Sequence, residues 1–223
     1  MKKHLPVMTD FFGTIEPAVP SRETIAEGAF ILREAALPFE DELLHDLQEV
    51  AARAPFRRMT TPGGFVMSVA MTNCGAAGWI TDRAGYRYDS ADPKSGSHWP
   101  ALPESFAAFA TAVALSAGYP GFVPDACLIN RYVPGARLSL HQDKNERDLT
   151  RPIVSVSLGL PATFEFGGTR RTDSVRRYNL RHGDVAVWGG ASRLCFHGVR
   201  ELKAGIHEKL GRARINLTFR SAL

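Results

Sequence analysis

The chain lacks the features that would place it at once in several large classes. No segment approaches the ~20 consecutive apolar residues a membrane-spanning helix needs, so neither a helical membrane protein nor a membrane partner is expected. The 3 cysteines, Cys74, Cys127 and Cys195, are scattered and odd in number, with no Cys-x-x-Cys pair. That pattern argues against a disulfide framework and against a zinc knuckle, and free thiols suit a reducing cytosol. Residues 1–6 show no apolar run of the secretory kind, so a cytoplasmic location is expected. Charge of one sign does not dominate either: 27 Lys and Arg face 23 Asp and Glu, a net +4. So mild an excess agrees with nucleic acid binding without establishing it. Repeats and low-complexity tracts are missing as well. What is present is 223 residues, 44% of them hydrophobic, enough for one compact domain with a substantial core.

Residues 1–26 hold Pro6, Gly13, Pro17 and Pro20 without a clear period and read as a loose N-terminal arm. Residues 28–33 have the apolar run of a strand. Leu43, Leu44, Leu47 and Val50 recur at helical spacing and predict a helix over 39–54, stopped by Pro55. Phe106, Phe109, Ala110 and Val113 predict a second over 103–117, with Gly118 where a helix end tolerates positive φ. Between them, residues 57–100 are broken by glycines into short strand-like pieces carrying Met67, Met71, Trp79, Tyr86 and Tyr88. Composition allows two readings of these hairpins: a lid offering aromatic and Met side chains to a flat ligand, or a surface hairpin packed on its own underside. From residue 125 onward, strand follows strand, with turns at Pro134-Gly135, Gly167-Gly168, His182-Gly183-Asp184 and Gly189-Gly190. The expected fold is mainly β with flanking helices (α+β), a sandwich or jelly roll. Residues 27–124 would form helices and lid, and 125–223 the catalytic β core, in one compact, monomeric domain.

The chemistry gathers around Leu138-Ser-Leu-His-Gln-Asp-Lys-Asn145. Side chains two apart on a strand point the same way, so His141 and Asp143 converge. With His197 they make two imidazoles and one carboxylate with open positions, the facial triad of non-haem Fe(II) oxygenases. In the closing strand, Arg214, Asn216 and Arg220 share one face while Ile215, Leu217 and Phe219 share the other. The apolar face can pack on a core, which turns two guanidinium groups and an amide toward something enclosed. Guanidinium forks bind carboxylates bidentately, so an anionic co-substrate with two carboxylates follows, and 2-oxoglutarate fits. Asn130 and Tyr132 share a strand face too, either solvated or placed to bind carboxylate oxygens. Of the remaining histidines, His4 lies in the arm, His45 on a solvated helix face, and His98 and His207 in loops. His182 is a decoy, since Gly183 marks a turn beside it.

Asn130-Arg-Tyr132, His141-Gln-Asp143, His197 and Arg214-x-Asn216-x-x-x-Arg220 resemble, in order and spacing, the motif set of the AlkB family of Fe(II)/2-oxoglutarate-dependent dioxygenases. Leu128-Ile-Asn-Arg-Tyr132, Pro152-Ile-Val-Ser-Val-Ser-Leu-Gly159 and Gly183-Asp-Val-Ala-Val-Trp188 extend the resemblance, which runs from about Glu27 to Arg220. It implies a double-stranded β-helix, the jelly-roll form, with an N-terminal nucleotide-recognition lid. It implies Fe(II), 2-oxoglutarate and O2, and oxidative demethylation of bases such as 1-methyladenine and 3-methylcytosine in DNA, and in RNA, releasing formaldehyde, succinate and CO2. The base would be flipped out or already single-stranded. His141, Asp143 and His197 would hold the metal. Asn130, Tyr132, Arg214, Asn216 and Arg220 would bind 2-oxoglutarate, Arg214 and Tyr132 at the distal carboxylate and Arg220 nearer the metal-bound end. Trp79 would stack on the base opposite His141, Met71 would line the pocket, and Thr61 and Tyr86 would contact phosphate or backbone. Arg171 would touch substrate; its other reading is a solvated arginine near Arg176 and Arg177.

Two positions depart from the pattern. Asn145 stands where the bacterial member of the family has an acidic residue contacting the base's exocyclic amine, which leaves the lesion preference open. Ile215 replaces an aromatic and should be a packing change. Two other readings stand beside demethylation of DNA: the same oxidant acting on tRNA or a small nucleotide, and a non-catalytic nucleic-acid-binding module. The complete triad and both arginines argue against the last.

Overall fold

A computed structural model describes residues 21–223. Its strands are β1 (Arg22–Ala26), β2 (Ala29–Leu32), β3 (Arg57–Thr60), β4 (Val66–Gly75), β5 (Gly78–Asp82), β6 (Gly85–Asp89), β7 (Ala126–Tyr132), β8 (Leu138–His141), β9 (Ile153–Gly159), β10 (Ala162–Phe166), β11 (Arg176–Leu180), β12 (Val185–Trp188), β13 (His197–Val199) and β14 (Arg214–Arg220). Helix α1 is Glu40–Arg53 and α2 is Glu104–Ser116. The strands form an 8-stranded sheet in the order β1-β2-β12-β9-β14-β7-β4-β3, a 4-stranded sheet β11-β10-β13-β8, and the separate hairpin β5-β6. This is the expected jelly roll with helices on one side.

Two apolar layers explain the stacking. One lies between the helices and the large sheet, joining Leu43, Leu47, Phe106 and Phe109 to Ile129, Val156, Leu217 and Phe219. The other lies between the sheets, joining Ile31, Ile153 and Trp188 to Phe164, Phe166 and Val199. Alternation along β14 follows from this. Ile215, Leu217 and Phe219 face the helices, and the Phe219 ring meets Phe106 edge-on at 5.7 Å. Arg214, Asn216, Thr218 and Arg220 then have nowhere to go but the space between the sheets, where all four are buried. Ile215 sits in the helix-side core, so its departure is a matter of packing.

The helices begin and end for local reasons. Glu40, Asp41 and Glu42 fill the first turn of α1, where the helix dipole favours negative charge. Ala54 turns extended, as the residue before a proline should. After α2, Gly118 takes φ +94° and the Tyr119 N–H returns to the Ala114 carbonyl at 2.9 Å.

One expectation is corrected and one refined. The arm does not extend through residue 26: Arg22–Ala26 is a strand paired with β2, because Ile25 has a core position to fill. Pro6, Gly13, Pro17, Pro20 and His4 lie outside the described residues. The hairpins expected over 57–100 divide between the large sheet and a separate pair. β4 pairs with β7 from Ala70↔Arg131 to Gly75↔Ala126, so β3 and β4 extend the large sheet, while β5-β6 forms its own two-stranded sheet, held to β4 by the Asn73 side chain and packed through Ile80. Among the described residues no helix is long and apolar enough to cross a membrane.

Candidate metal centre and its cleft

β8 and β13 pair so that His141 and His197 are register partners, with ring centroids 4.4 Å apart. Gly198 permits that approach, because a Cβ there would lie 2.8 Å from the Leu138 carbonyl oxygen. Asp143, just past the end of β8, completes the group. Its Oδ1 is 3.6 Å from His141 Nε2 and its Oδ2 is 3.8 Å from His197 Nε2. One ligand atom from each residue falls within 4.8 Å of the others.

The outer partners that the sequence left open are backbone carbonyls. His141 Nδ1 lies 2.8 Å from the Ser139 carbonyl oxygen and His197 Nδ1 lies 3.0 Å from that of Cys195. A carbonyl only accepts, so both Nδ1 atoms carry hydrogen, which leaves Nε2 of each ring as the atom available to a metal. Burial, then the neighbouring His141, lowers His197 to about 4, which keeps it neutral at neutral pH. Burial would raise the Asp143 carboxyl, but the Arg220 guanidinium and the two imidazoles outweigh it and hold the group well below the usual carboxylate range. Arg220 donates to Asp143 Oδ2 from Nη2 at 2.6 Å and from Nε at 3.1 Å. This donor set suits a divalent metal that keeps open positions.

The centre sits in a cleft of about 860 Å³ lined by every residue predicted as a site. At the closed end Arg214 donates from Nη2 to Ser157 Oγ at 2.9 Å, and its guanidinium lies 5.0 Å from the centre of the Tyr132 ring. Arg214 Nε and Nη1, Arg220 Nη1, Asn130 Oδ1 and Trp188 Nε1 are buried without a partner among the described residues. Buried donors without acceptors are costly, and four N–H-bearing atoms around one enclosed space fit a bound dicarboxylate. Asn216 has nothing left to offer: its Nδ2 donates to Ser155 Oγ and the Val156 carbonyl, while its Oδ1 accepts from Thr218 Oγ1 and Asn130 Nδ2.

At the open end, Trp79 of β5 and Tyr86 of β6 stack at 5.7 Å with planes 22° apart. Trp79 Nε1 donates to Asn145 Oδ1 at 3.2 Å. Thr61, the 77%-exposed Phe65, and the buried Met71 come from the β3-β4 hairpin. Arg171 is not simply solvated. It donates from Nη1 to the Leu140 carbonyl at 2.8 Å and lies over the Phe196 ring. Gln142 ties the metal segment to the loop bearing Arg171, through Nε2 to the Leu194 and Thr169 carbonyls at 2.6 and 3.3 Å.

The other described histidines are elsewhere. His182 accepts from the Gly159 N–H at Nδ1, and its Nε2 lies 2.9 Å from Glu40 Oε1, at the start of α1. Sequence reasoning assigned no site role to four residues. Trp188 lines the cleft 4.8 Å from the His197 ring. Tyr88, Glu146 and Arg193 form a buried polar group behind Asp143. Their contacts are long-range, and no local spacing betrays them.

The 2OG-Fe(II) oxygenase superfamily matches the chain over residues 30–220. The chain is 59% identical to the alpha-ketoglutarate-dependent dioxygenase AlkB of Salmonella typhimurium, over 91% of this chain and 94% of that protein. It is 56% identical to the AlkB of Escherichia coli, over 96% and 98%. The structure described as OsALKBH1 superposes with a TM-score of 0.79 at 27% identity, covering 90% of this chain and 99% of that one. A His-Asp-His centre, a jelly roll and these likenesses agree: the chain belongs to the 2OG-Fe(II) oxygenase superfamily, whose members use Fe(II), 2-oxoglutarate and O2, and within it to the AlkB dioxygenases.

Proposed function

We propose that this chain removes methyl groups from ring nitrogens of damaged bases, such as 1-methyladenine and 3-methylcytosine, in DNA and also in RNA, with release of formaldehyde. One observation carries the reading: a single cleft with unlike ends. Buried arginine N–H groups without partners and a His-Asp-His centre lie at the closed end, and a stacked Trp-Tyr pair at the open one. His141, Asp143 and His197 would hold the iron, which would supply O2 activation coupled to conversion of 2-oxoglutarate to succinate and CO2.

The side chains then have separable roles. Arg214, beside Tyr132, receives the distal carboxylate through Nε and Nη1, and Arg220 Nη1 serves the end nearer the metal. Asn130 adds a polar contact. Asn216, fully bonded, keeps Asn130 aligned rather than reaching the co-substrate itself. The target atom is inaccessible inside a duplex, so the base enters flipped or from a single strand. Trp79 stacks on one face and His141 closes the other, and stacking contributes roughly 1–3 kcal/mol per base. Met71 walls the pocket, Asn145 meets the edge of the base, and Thr61, Tyr86 and Arg171 hold the strand that carries it.

The test supplies Fe(II), 2-oxoglutarate and O2 with 1-methyladenine in a DNA oligonucleotide, an RNA oligonucleotide and the free nucleotide. Formaldehyde and succinate should form together from an oligonucleotide, and not with Asp143→Ala, whose melting curve should show a folded protein, since Asp143 lies outside both apolar cores and Arg220 keeps Glu146 as a partner. Turnover of the free nucleotide alone would displace the proposed substrate. Oligonucleotide binding without any formaldehyde would overturn the enzymatic reading.

A further inference from the structure

Glu146 is a buried carboxylate beside the metal centre that the proposed chemistry leaves unused. Its side chain is 2% exposed and meets two strands and the segment bearing Arg193. Oε1 accepts from the Tyr88 hydroxyl of β6 at 2.7 Å and lies 3.3 Å from Arg220 Nε of β14. Oε2 accepts from Arg193 Nη2 at 3.1 Å. Both arginines continue to Asp143. Arg220 reaches its carboxylate, and Arg193 Nη1 donates to its backbone carbonyl at 2.7 Å. Arg193 Nε is used as well, on the Arg151 carbonyl at 2.8 Å. Two carboxylates and two guanidiniums thus balance largely out of water, each fixing the others' geometry.

The far end of this network is the aromatic hairpin. Tyr88 is the cross-strand partner of Trp79. Burial first, and the carboxylates near it, push the Tyr88 hydroxyl well above its ordinary range, so it stays protonated and donates. The segment from Asp143 to Glu146 therefore faces two ways. Asp143 faces the metal centre, while Asn145 holds the Trp79 indole and Glu146 holds Tyr88.

We infer that Glu146 is a positioning residue that ties the seating of the β5-β6 hairpin to the geometry of Asp143, so that base binding and metal binding strengthen each other. The coupling rests on the base-stacking reading of the hairpin; the hold on Asp143 does not. Linkage makes the effect reciprocal, so whatever seats the hairpin also tightens the metal site.

The test uses Mn(II) in place of Fe(II), so that nothing turns over, with 2-oxoglutarate and a labelled single-stranded oligonucleotide bearing 1-methyladenine. In the wild type, Mn(II) with 2-oxoglutarate should tighten oligonucleotide binding by on the order of fivefold or more. Tyr88→Phe, which removes only a hydroxyl, should lose that enhancement. Glu146→Gln should weaken Mn(II) binding roughly tenfold or more, as loss of an outer partner does, with a melting curve showing a folded protein. An enhancement kept in Tyr88→Phe, or absent from the wild type, overturns the coupling. Wild-type Mn(II) affinity in folded Glu146→Gln overturns the positioning role. If Glu146→Gln does not fold, Tyr88→Phe decides alone. If no variant binds the oligonucleotide, the proposed substrate fails, while the Mn(II) titration still decides the hold on Asp143.

Discussion

Asn145 is the residue at which this chain departs most consequentially from the pattern the AlkB resemblance implies. An indole N–H can only donate, so Trp79 must engage the Asn145 oxygen, and the amide's own N–H groups are left for the cleft. Asn145→Asp keeps an acceptor for Trp79 and adds a charge. Coulomb attraction at a partly desolvated site is on the order of a few kcal/mol before screening. Turnover of cationic 1-methyladenine should therefore rise relative to a neutral etheno-adduct when both compete in one tube. A ratio that stays put or moves toward the adduct would show that position 145 does not read base charge. Arg214 invites a different substitution. Arg214→Lys keeps the charge but not the fork. Loss of one charge-assisted hydrogen bond, about 1.5–3 kcal/mol, should raise the KM for 2-oxoglutarate roughly tenfold to a hundredfold and leave oligonucleotide affinity alone. An unchanged KM would mean that Arg214 does not anchor the co-substrate.

Strand β14 shows at the scale of one element how fold and chemistry share residues. It is paired on both edges, with β7 and β9, so its backbone cannot slip. A one-residue slip would exchange its two faces, sending Arg214 and Arg220 into the apolar core. The two faces should therefore respond separately. Leu217 is wholly buried on the helix side. Leu217→Ala should cost about 2–5 kcal/mol of stability in a denaturant titration while leaving the KM for 2-oxoglutarate near that of the wild type. A large KM change there would mean that the helix-side core sets the cleft's geometry. The β5-β6 hairpin is the opposite kind of element, paired only with itself and joined to the metal segment by side chains.

For the molecule as a whole, a metal centre between two sheets ties stability to pH. Burial lowers His197 from 6.5 to about 4 in the folded chain. Between those values the unfolded chain holds a proton there and the folded one does not, so stability rises with pH. It is complete above about 6.5 and is lost toward 4 by up to about 1.4 kcal/mol per pH unit. The Tm of the metal-free protein should fall across that window, and His197→Gln should flatten the fall. An equal slope in the variant would place the titration elsewhere.

What the sequence determined by itself were the relations that strand and helix periodicity dictate. The polar row of β14 opposite its apolar row and the buried stripes of both helices follow from steps of two or of three and four along the chain, whereas Asp143 meets His141 from just past the end of β8, not from the strand itself. His182 could be set aside from its turn glycine alone. Only the tertiary structure decided which distant segments meet. It drew Arg22–Ala26 into the large sheet, joined β4 to β7, set His197 opposite His141, and closed Tyr88, Glu146, Arg193 and Arg220 around Asp143. Those contacts depend on sheet order and register, which are settled by burying apolar faces across the whole molecule, and no window of sequence contains that information.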